Sequence, residues 1–507
     1  MSKKTITIIG GGACGVAAFI ELFLRLRIGN HHRQVQLNIV EKKPKIGQGL
    51  AFGTDQPGHL LNTQANLMGI HAREPAHFGD WVRENAQKYG YEKMAQLADE
   101  QMYPPRRLYG QYVEDQFQQY LKRAEEEGVP VRVIQEEAID ADLQDNGWRI
   151  SLDDGKHLYS DYVILAIGTP KRNNYHRFKE NAQYVDFPWP SSIIKDRVPA
   201  DAEVAILGSS LSAIDTLMTF GDTSHQGKIG LYSRSGLLPR VQPEETAAYE
   251  RKFITLNNVH KLMRQQLRSV TATELFRLFQ KEAEQYEGKT IDWKATGRQA
   301  TSARKLLEND INVARLGGDA FQNIAYELRY EASVMWSLLS DEEKVRFIRW
   351  IGSYWNINRH GMPLVNALRI KSLFDKEQLT VTAGLEEVTF DESRKKFRLT
   401  YQGGQHAEAD YLINATGTAK RLSDMDITLI QKMHHKKYLI PHSAGGIRIN
   451  RQHMQVISPH LRHDNLYAVG QLASGELLDT NAVWFNVKTV AKLGQDIIYQ
   501  LDRGNIS

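Results

Sequence analysis

The chain of 507 residues is 41% apolar and 24% charged, which excludes collagen-like, coiled-coil and disordered classes and allows two or three packed cores. Its 64 basic and 60 acidic residues leave a net charge of +4, too small to point to a nucleic acid or an anionic membrane as partner. The single cysteine, Cys14, excludes an intramolecular disulfide framework, a cysteine-rich zinc or iron–sulfur site and a dithiol relay within one chain.

Thr5 to Ile9 is a β-branched run ending at Gly10 and predicts a buried strand. The turn Gly10-Gly11-Gly12-Ala13-Cys14-Gly15 leads into an apolar helical segment, Val16 to Leu26, which sets G-x-G-x-x-G between a strand and a helix. In that setting Gly10 permits the tight turn, Gly12 lets a pyrophosphate approach, and Gly15 lets helix and strand pack closely. The phosphates then sit on the positive end of the helix, against Ala13 and Cys14. A second strand, Val35 to Val40, ends in Glu41, placed to accept hydrogen bonds from an adenosine ribose, with Lys42 beside it as a further cofactor contact. The uncharged stretch Thr5 to Ile20 has 16 residues and four glycines, too short and glycine-rich to span a bilayer. Glu21 interrupts it without a secretory cleavage site, so the expected location is cytoplasmic.

The pattern recurs in mid-chain. Glu203 to Leu207 predicts a strand, followed by Gly208-Ser209-Ser210-Leu211-Ser212-Ala213 and a helical run, Ile214 to Phe220. Gly208, Ser209, Ser210, Ser212 and Ala213 are the candidate contacts of this second turn. The next strand, Lys228 to Tyr232, ends in Ser233-Arg234; an arginine in place of an acid favours a 2′-phosphate, hence NADPH over NADH. Glu244 to Arg349 departs from strand–helix alternation and predicts a helical insertion over about 244–350, suited to a lid or substrate wall or, equally, to surface packing or an oligomer contact. Two matching strand-to-glycine turns, Tyr162 to Thr169 with Gly168 and Tyr411 to Thr418 with Gly417, each follow an aspartate, Asp161 and Asp410. A last strand, Asn465 to Gly470, precedes a polar loop and a helix from about Thr480 to Leu501, whose first amides, near Ala482, can face the pyrimidine ring of a flavin. The expected fold is α/β, two Rossmann-like dinucleotide-binding domains with a helical insertion. No histidine, cysteine or carboxylate spacing suggests a metal.

In this order the motifs resemble the two-dinucleotide-binding flavoprotein superfamily, which includes flavin-containing and N-hydroxylating monooxygenases and the disulfide reductases. More narrowly, Gly49 to Thr54, His59 to Thr63 and Tyr103 to Tyr112 are similar to a bacterial family of FAD/NAD(P)-binding proteins that contains a flavin-dependent urate hydroxylase and, by similarity, amino-acid N-oxygenases. The resemblance implies FAD on residues 1–190 and 419–507, and NADPH on 191–418 between them. Gln471 stands where the superfamily usually has an aspartate on the FAD ribitol, so a neutral contact is expected there.

NADPH delivers hydride to a stacked flavin without a protein acid or base. With no cysteine pair, the remaining electron acceptors are O2, an organic substrate, or a quinone or protein partner. The resemblance favours O2, which implies a C4a-(hydro)peroxyflavin and hydroxylation of a small polar, amino-acid-like substrate. The polar loop supplies Asn62, Gln64 and Asn66 as amides for the flavin edge, and Arg106 or Arg107 can neutralise the FAD pyrophosphate. Arg359 can bind a substrate carboxylate and His360 can move a proton. Two other readings stay open: a dehydrogenase or reductase that passes electrons to an organic acceptor without oxygen insertion, and a nucleotide-binding regulatory protein without turnover.

Overall fold

The computed structural model describes residues 3–145, 147–243, 245, 248–293, 302–461 and 465–504. They form two compact units: Met1–Gly53 with Thr63–Asn173 and Thr418–Ser507, and Thr54–Asn62 with Asn174–Gly417. The chain thus leaves the first unit after Asn173, where 190 is the sequence expectation, and returns at Thr418. Residues 54–62, expected in the FAD domain, belong to the second unit.

The first unit is built on a five-stranded sheet in the order Leu466–Ala468, Tyr162–Leu165, Lys4–Ile9, Val35–Val40, Val131–Ile134. All neighbours are parallel. A parallel sheet is covered on both faces, and Ile6, Ile8, Leu37, Val163 and Ile164 are accordingly fully buried. The Ala13–Ile28 helix follows the first strand and packs Phe19 edge-on against Phe117 of the Arg106–Glu126 helix.

The second unit repeats this plan. Its sheet runs Leu379–Thr382, Ile229–Tyr232, Val204–Leu207, Tyr411–Asn414, Tyr184–Val185, again parallel throughout. Each unit adds a three-stranded antiparallel ribbon before its return strand: 138–144, 147–152 and 157–160 in one, 385–391, 396–401 and 405–409 in the other. The paired aspartates explain themselves here. The Asp161 carboxylate accepts from the Thr5 amide at 2.8 Å and that of Asp410 from the Glu203 amide at 2.9 Å. Each therefore pins the start of the central strand against its neighbour.

The region expected as a helical insertion holds the helices Leu256–Gln266, Ala272–Glu287, Ala303–Arg315, Ala320–Glu327 and Asp341–Trp350, while its first residue, Glu244, lies outside the described residues. Helix continues beyond 350 as Gly352–Arg359 and Leu364–Asp375, the latter burying Ala367, Ile370 and Phe374 at helical spacing. Thr271 and Glu274 close a capping box at the head of Ala272–Glu287.

Candidate nucleotide and substrate sites

In the first unit, Gly10 has φ +108°, and a Cβ there would lie 2.3 Å from the Ala166 carbonyl oxygen. A Cβ on Gly15 would lie 1.8 Å from the Gly10 oxygen. Both glycines are demanded by the fold itself. Gly12 is different: a Cβ there would meet only Gly49 Cα at an ordinary 3.6 Å. Gly12 is also the N-cap of Ala13–Ile28, and no side chain caps that helix. The amides of its first turn are left for an anion.

Glu41 reaches this turn as expected from the strand end, accepting from the Gly11 amide at 2.8 Å and the Lys43 amide at 2.9 Å. A carboxylate has about four acceptor sites, so ribose hydroxyls can still be bound. Lys42 turns away, to Glu137 at the exposed surface, 2.9 Å distant. Cys14 is half-buried in the turn, and desolvation pushes its thiol up to about 12 against the pull of a hydrogen bond with Asn486. Native protein should therefore resist thiol reagents at pH 8 and react stoichiometrically in denaturant, which a DTNB absorbance assay reads directly. Labelling of the native chain within minutes would contradict the raised thiol pKa.

A Cβ on Gly470, at φ +72°, would approach the Cys14 sulfur at 3.8 Å, so the final strand ends beside the glycine turn. Gln471 follows, nearly buried, and its side chain makes no hydrogen bond among the described residues. Ala482 precedes the Val483–Gly504 helix, donating to Asp479 and accepting from Asn486. Gly168 has φ +72° with nothing within 4 Å of a built Cβ.

Gln64 is buried ahead of the short Ala65–Leu67 turn. Asn66, on that turn, holds a buried Oδ1 without a donor, and the Tyr109 hydroxyl is likewise buried and unsatisfied. Buried polar atoms are rarely left so, and both fit a polar ligand lying in this unit. Of the two arginines, Arg106 is half-buried at the head of its helix; Arg107 is exposed, bonding Tyr91 and stacking over its ring.

The second unit repeats the turn with thinner means. Gly208 has φ +113°, and a Cβ would lie 2.5 Å from the Ala415 oxygen, the counterpart of Gly10 against Ala166. Ser210 is the N-cap of Leu211–Asp222 in the same extended conformation as Gly12, and again no side chain caps the helix. Ser209 is turned inward: its hydroxyl donates to the Leu237 oxygen at 2.8 Å and meets the Ser233 hydroxyl at 2.9 Å, tying the turn to the strand-end loop. Ser212 and Ala213 lie in the first helical turn, and Gly417, at φ +93°, is open. Arg234 is exposed and forms no ion pair or hydrogen bond through its guanidinium among the described residues.

Asn62 stands apart from Gln64 and Asn66, in the 54–62 segment of the second unit. Sequence reasoning gave this segment no structural role. His59, 1% exposed, sets its Nε2 against the Asp215 carbonyl at 2.8 Å and its Nδ1 against the Thr54 hydroxyl at 2.9 Å. A carbonyl only accepts, so Nε2 carries a proton. The Gly58 amide donates to Asp222, which also pairs with Arg369 at 2.6 Å. The segment thus forms part of the core face of Leu211–Asp222. The histidine at the head of the His59 to Thr63 motif was the available signal.

Arg359 and His360 are expected in a loop. Arg359 instead ends the Gly352–Arg359 helix and His360 caps it, with Arg359 Nη1 3.1 Å from His360 Nε2. A guanidinium is a donor only, so Nε2 is the acceptor and cannot deliver a proton while that contact holds. Among the described residues no helix is long and apolar enough to cross a membrane, and no group of ligating side chains could hold a metal ion.

Two parallel sheets, each led by a glycine turn that opens onto an uncapped helix, define a pair of Rossmann-like dinucleotide-binding units. Residues 7–170 match a family model described as FAD-NAD(P)-binding. The chain is 23% identical over 263 residues to the uncharacterized protein YdhS of Escherichia coli (strain K12), a match spanning 47% of each chain, so about half the length of that relative. In fold it is similar to the ornithine hydroxylase of Pseudomonas aeruginosa, with a TM-score of 0.59, 14% identity and coverage of 99% and 100% of the two chains. A Kutzneria sp. 744 ornithine N-hydroxylase, with reduced FAD, NADP+ and L-ornithine, aligns at a TM-score of 0.57 and 14% identity over 99% and 100%.

Proposed function

We propose that this protein is an FAD- and NADPH-dependent monooxygenase that hydroxylates a small, polar, amino-acid-like substrate with O2. The observation that carries the reading is the doubled turn: Gly10 and Gly208 sit against equivalent carbonyls, and both following helices are left uncapped, in a chain with a single cysteine. Two nucleotides can be held, and no dithiol can take the electrons. The solved relatives that share the fold include hydroxylases of ornithine, which makes an amino-acid-like substrate the natural extension.

FAD belongs to the first unit. There the Ala13 to Gly15 amides face the pyrophosphate, Glu41 accepts from the ribose, Arg106 neutralises phosphate, and Gln471 offers a neutral contact to the ribitol. Asn66 and Gln64 present amides, and the bare backbone at Gly168 leaves room for approach. When bound, the flavin accepts hydride from NADPH and supplies electrons to O2. Everything else asked of the chain is orientation and exclusion of water. NADPH belongs to the second unit, over Gly208, Ser210, Ser212 and Ala213, with Arg234 on the 2′-phosphate.

Removing a charge-assisted contact to that phosphate costs about 1.5–3 kcal/mol. Arg234→Ala should accordingly raise the KM for NADPH by about 10- to 100-fold and leave that for NADH nearly unchanged. Steady-state kinetics with both cofactors decides it, and an equal effect on the two would remove Arg234 from the site. The substrate is approached by screening amino acids, polyamines and purines for NADPH oxidation coupled to product.

A further inference from the structure

Two histidines of the first unit form a pair that the nucleotide turn does not use. His71 lies in a tight loop closed by the Gly69 amide on the Pro75 carbonyl at 2.8 Å, and His77 is the first residue of the His77–Tyr89 helix. Their ring centroids are 4.4 Å apart. Both are tied to the Arg106–Glu126 helix: His71 Nε2 is 3.0 Å from Gln116 Oε1, and His77 Nδ1 is 2.8 Å from the Tyr112 hydroxyl. Tyr112 is fully buried and accepts from the Ile70 amide at 3.0 Å. One phenol therefore joins the histidine, the helix and the loop.

The loop continues the segment that carries Gln64 and Asn66, the amides assigned above to the flavin. Tyr112 holds Ile70 on one side of Asn66, and on the other a Cβ built on Gly79, in the first turn of the helix that His77 begins, would lie 3.5 Å from the Asn66 amide nitrogen. His77 is thus bonded where both elements that border Asn66 meet.

A phenol has one proton and two acceptor positions. With the Ile70 amide on its oxygen, Tyr112 can give its proton to His77 Nδ1 as long as that nitrogen is bare. An imidazolium carries hydrogen on both nitrogens, so charging His77 turns this acceptor into a donor and deprives the buried phenol proton of it. Leaving a buried donor unpaired costs about 1–3 kcal/mol. Burial, the neighbouring His71 and the helix N-terminus, where a cation meets the positive end of the dipole, all oppose the charge as well. Glu74 in the loop and Asp80 and Glu84 in the helix favour it, while Tyr120, with Arg123 over its ring, faces His71 from the third element. Burial prevails, and His77 is held below its usual 6.5.

We propose that His77 is a proton-operated latch, which holds the 64–70 segment on FAD when neutral and releases it when protonated. The latch rests on the placing of FAD in the first unit and adds a regulation of that site by pH. With the segment open, His77 titrates at its ordinary value; with it closed, lower. Closure is therefore fully favoured above pH 6.5 and is lost as the pH falls below it, by about ten-fold over the first pH unit.

Equilibrium dilution of the FAD-loaded protein at pH 7.5 and 5.5, with free flavin read by fluorescence, tests it. The dissociation constant should be about ten-fold larger at pH 5.5. His77→Asn places an amide oxygen where Nδ1 stands and does not titrate, so its constant should change by less than about two-fold. Tyr112→Phe removes the phenol proton and should flatten the step as well, which serves if His77→Asn does not fold. A step that persists in either folded variant overturns the latch. Equal affinity of the unaltered chain at the two pH values overturns it too and leaves FAD in the first unit. Failure to hold FAD even at pH 7.5 removes that placing, and the latch with it.

Discussion

Gly10→Ala is expected to yield a chain that no longer retains FAD, whereas Gly208→Ala should retain FAD and lose NADPH. The two substitutions are geometrically the same. Each places a methyl group where the backbone has φ above +100° and where a carbonyl oxygen lies 2.3 Å or 2.5 Å away. The left-handed conformation alone costs about 1–2 kcal/mol for an L side chain. Relieving the clash requires moving a return strand at its bonded neighbour, so the total exceeds about 4 kcal/mol, the range reserved for severe core lesions. Flavin absorbance of the purified protein and NADPH-dependent flavin reduction report the two units separately. Loss of FAD in both variants would mean that the units do not bind independently; retention of both nucleotides in both would discard the turns as binding elements.

A second large effect is expected far from either turn. Glu282, 0% exposed, accepts from the amides of Lys252, Phe253 and Ile254 and from the Tyr249 hydroxyl, so one carboxylate organises the loop ahead of the Leu256–Gln266 helix. Gln in its place keeps the size but turns an N–H group toward donors. The expected loss is about 2–4 kcal/mol, from charge-assisted bonds broken and a buried donor left unpaired. Burial pushes the Glu282 carboxyl up, but the backbone donors and Tyr249 outweigh it, and the group ends below its usual value of 4.5. The unfolded chain therefore takes up this proton first. Its contribution is complete above pH 4.5 and disappears as the pH falls through the lower, folded value. The difference in unfolding free energy between wild type and Glu282→Gln should shrink steadily below pH 4.5. A difference that persists undiminished at pH 3 would show that the carboxylate's charge is not what holds the loop.

Both nucleotide turns were legible because their causes are local: a β-branched run, a residue that must be glycine, then an apolar helix. The paired Asp161 and Asp410 were visible as a repeat, though their purpose as clamps on Thr5 and Glu203 needed the sheet register. What escaped depends on contacts across the chain. The 54–62 segment joins the second unit through His59 and Asp215, 156 residues apart, and nothing in either neighbourhood announces the other. Arg359 and His360 lie at a helix end and turn toward each other, a contact that the sequence does not announce. Lys42, next to Glu41, points the other way along the strand end, to Glu137.

The central claim is that electrons from NADPH pass through FAD to O2 in a way that serves oxygen insertion. Stopped-flow mixing of the NADPH-reduced holoprotein with aerated buffer, with absorbance and hydrogen peroxide followed together, tests it most directly. The account predicts that the oxidised flavin spectrum returns in two resolved phases, with peroxide appearing only in the second. A single phase, with peroxide released as fast as the flavin reoxidises, would contradict it.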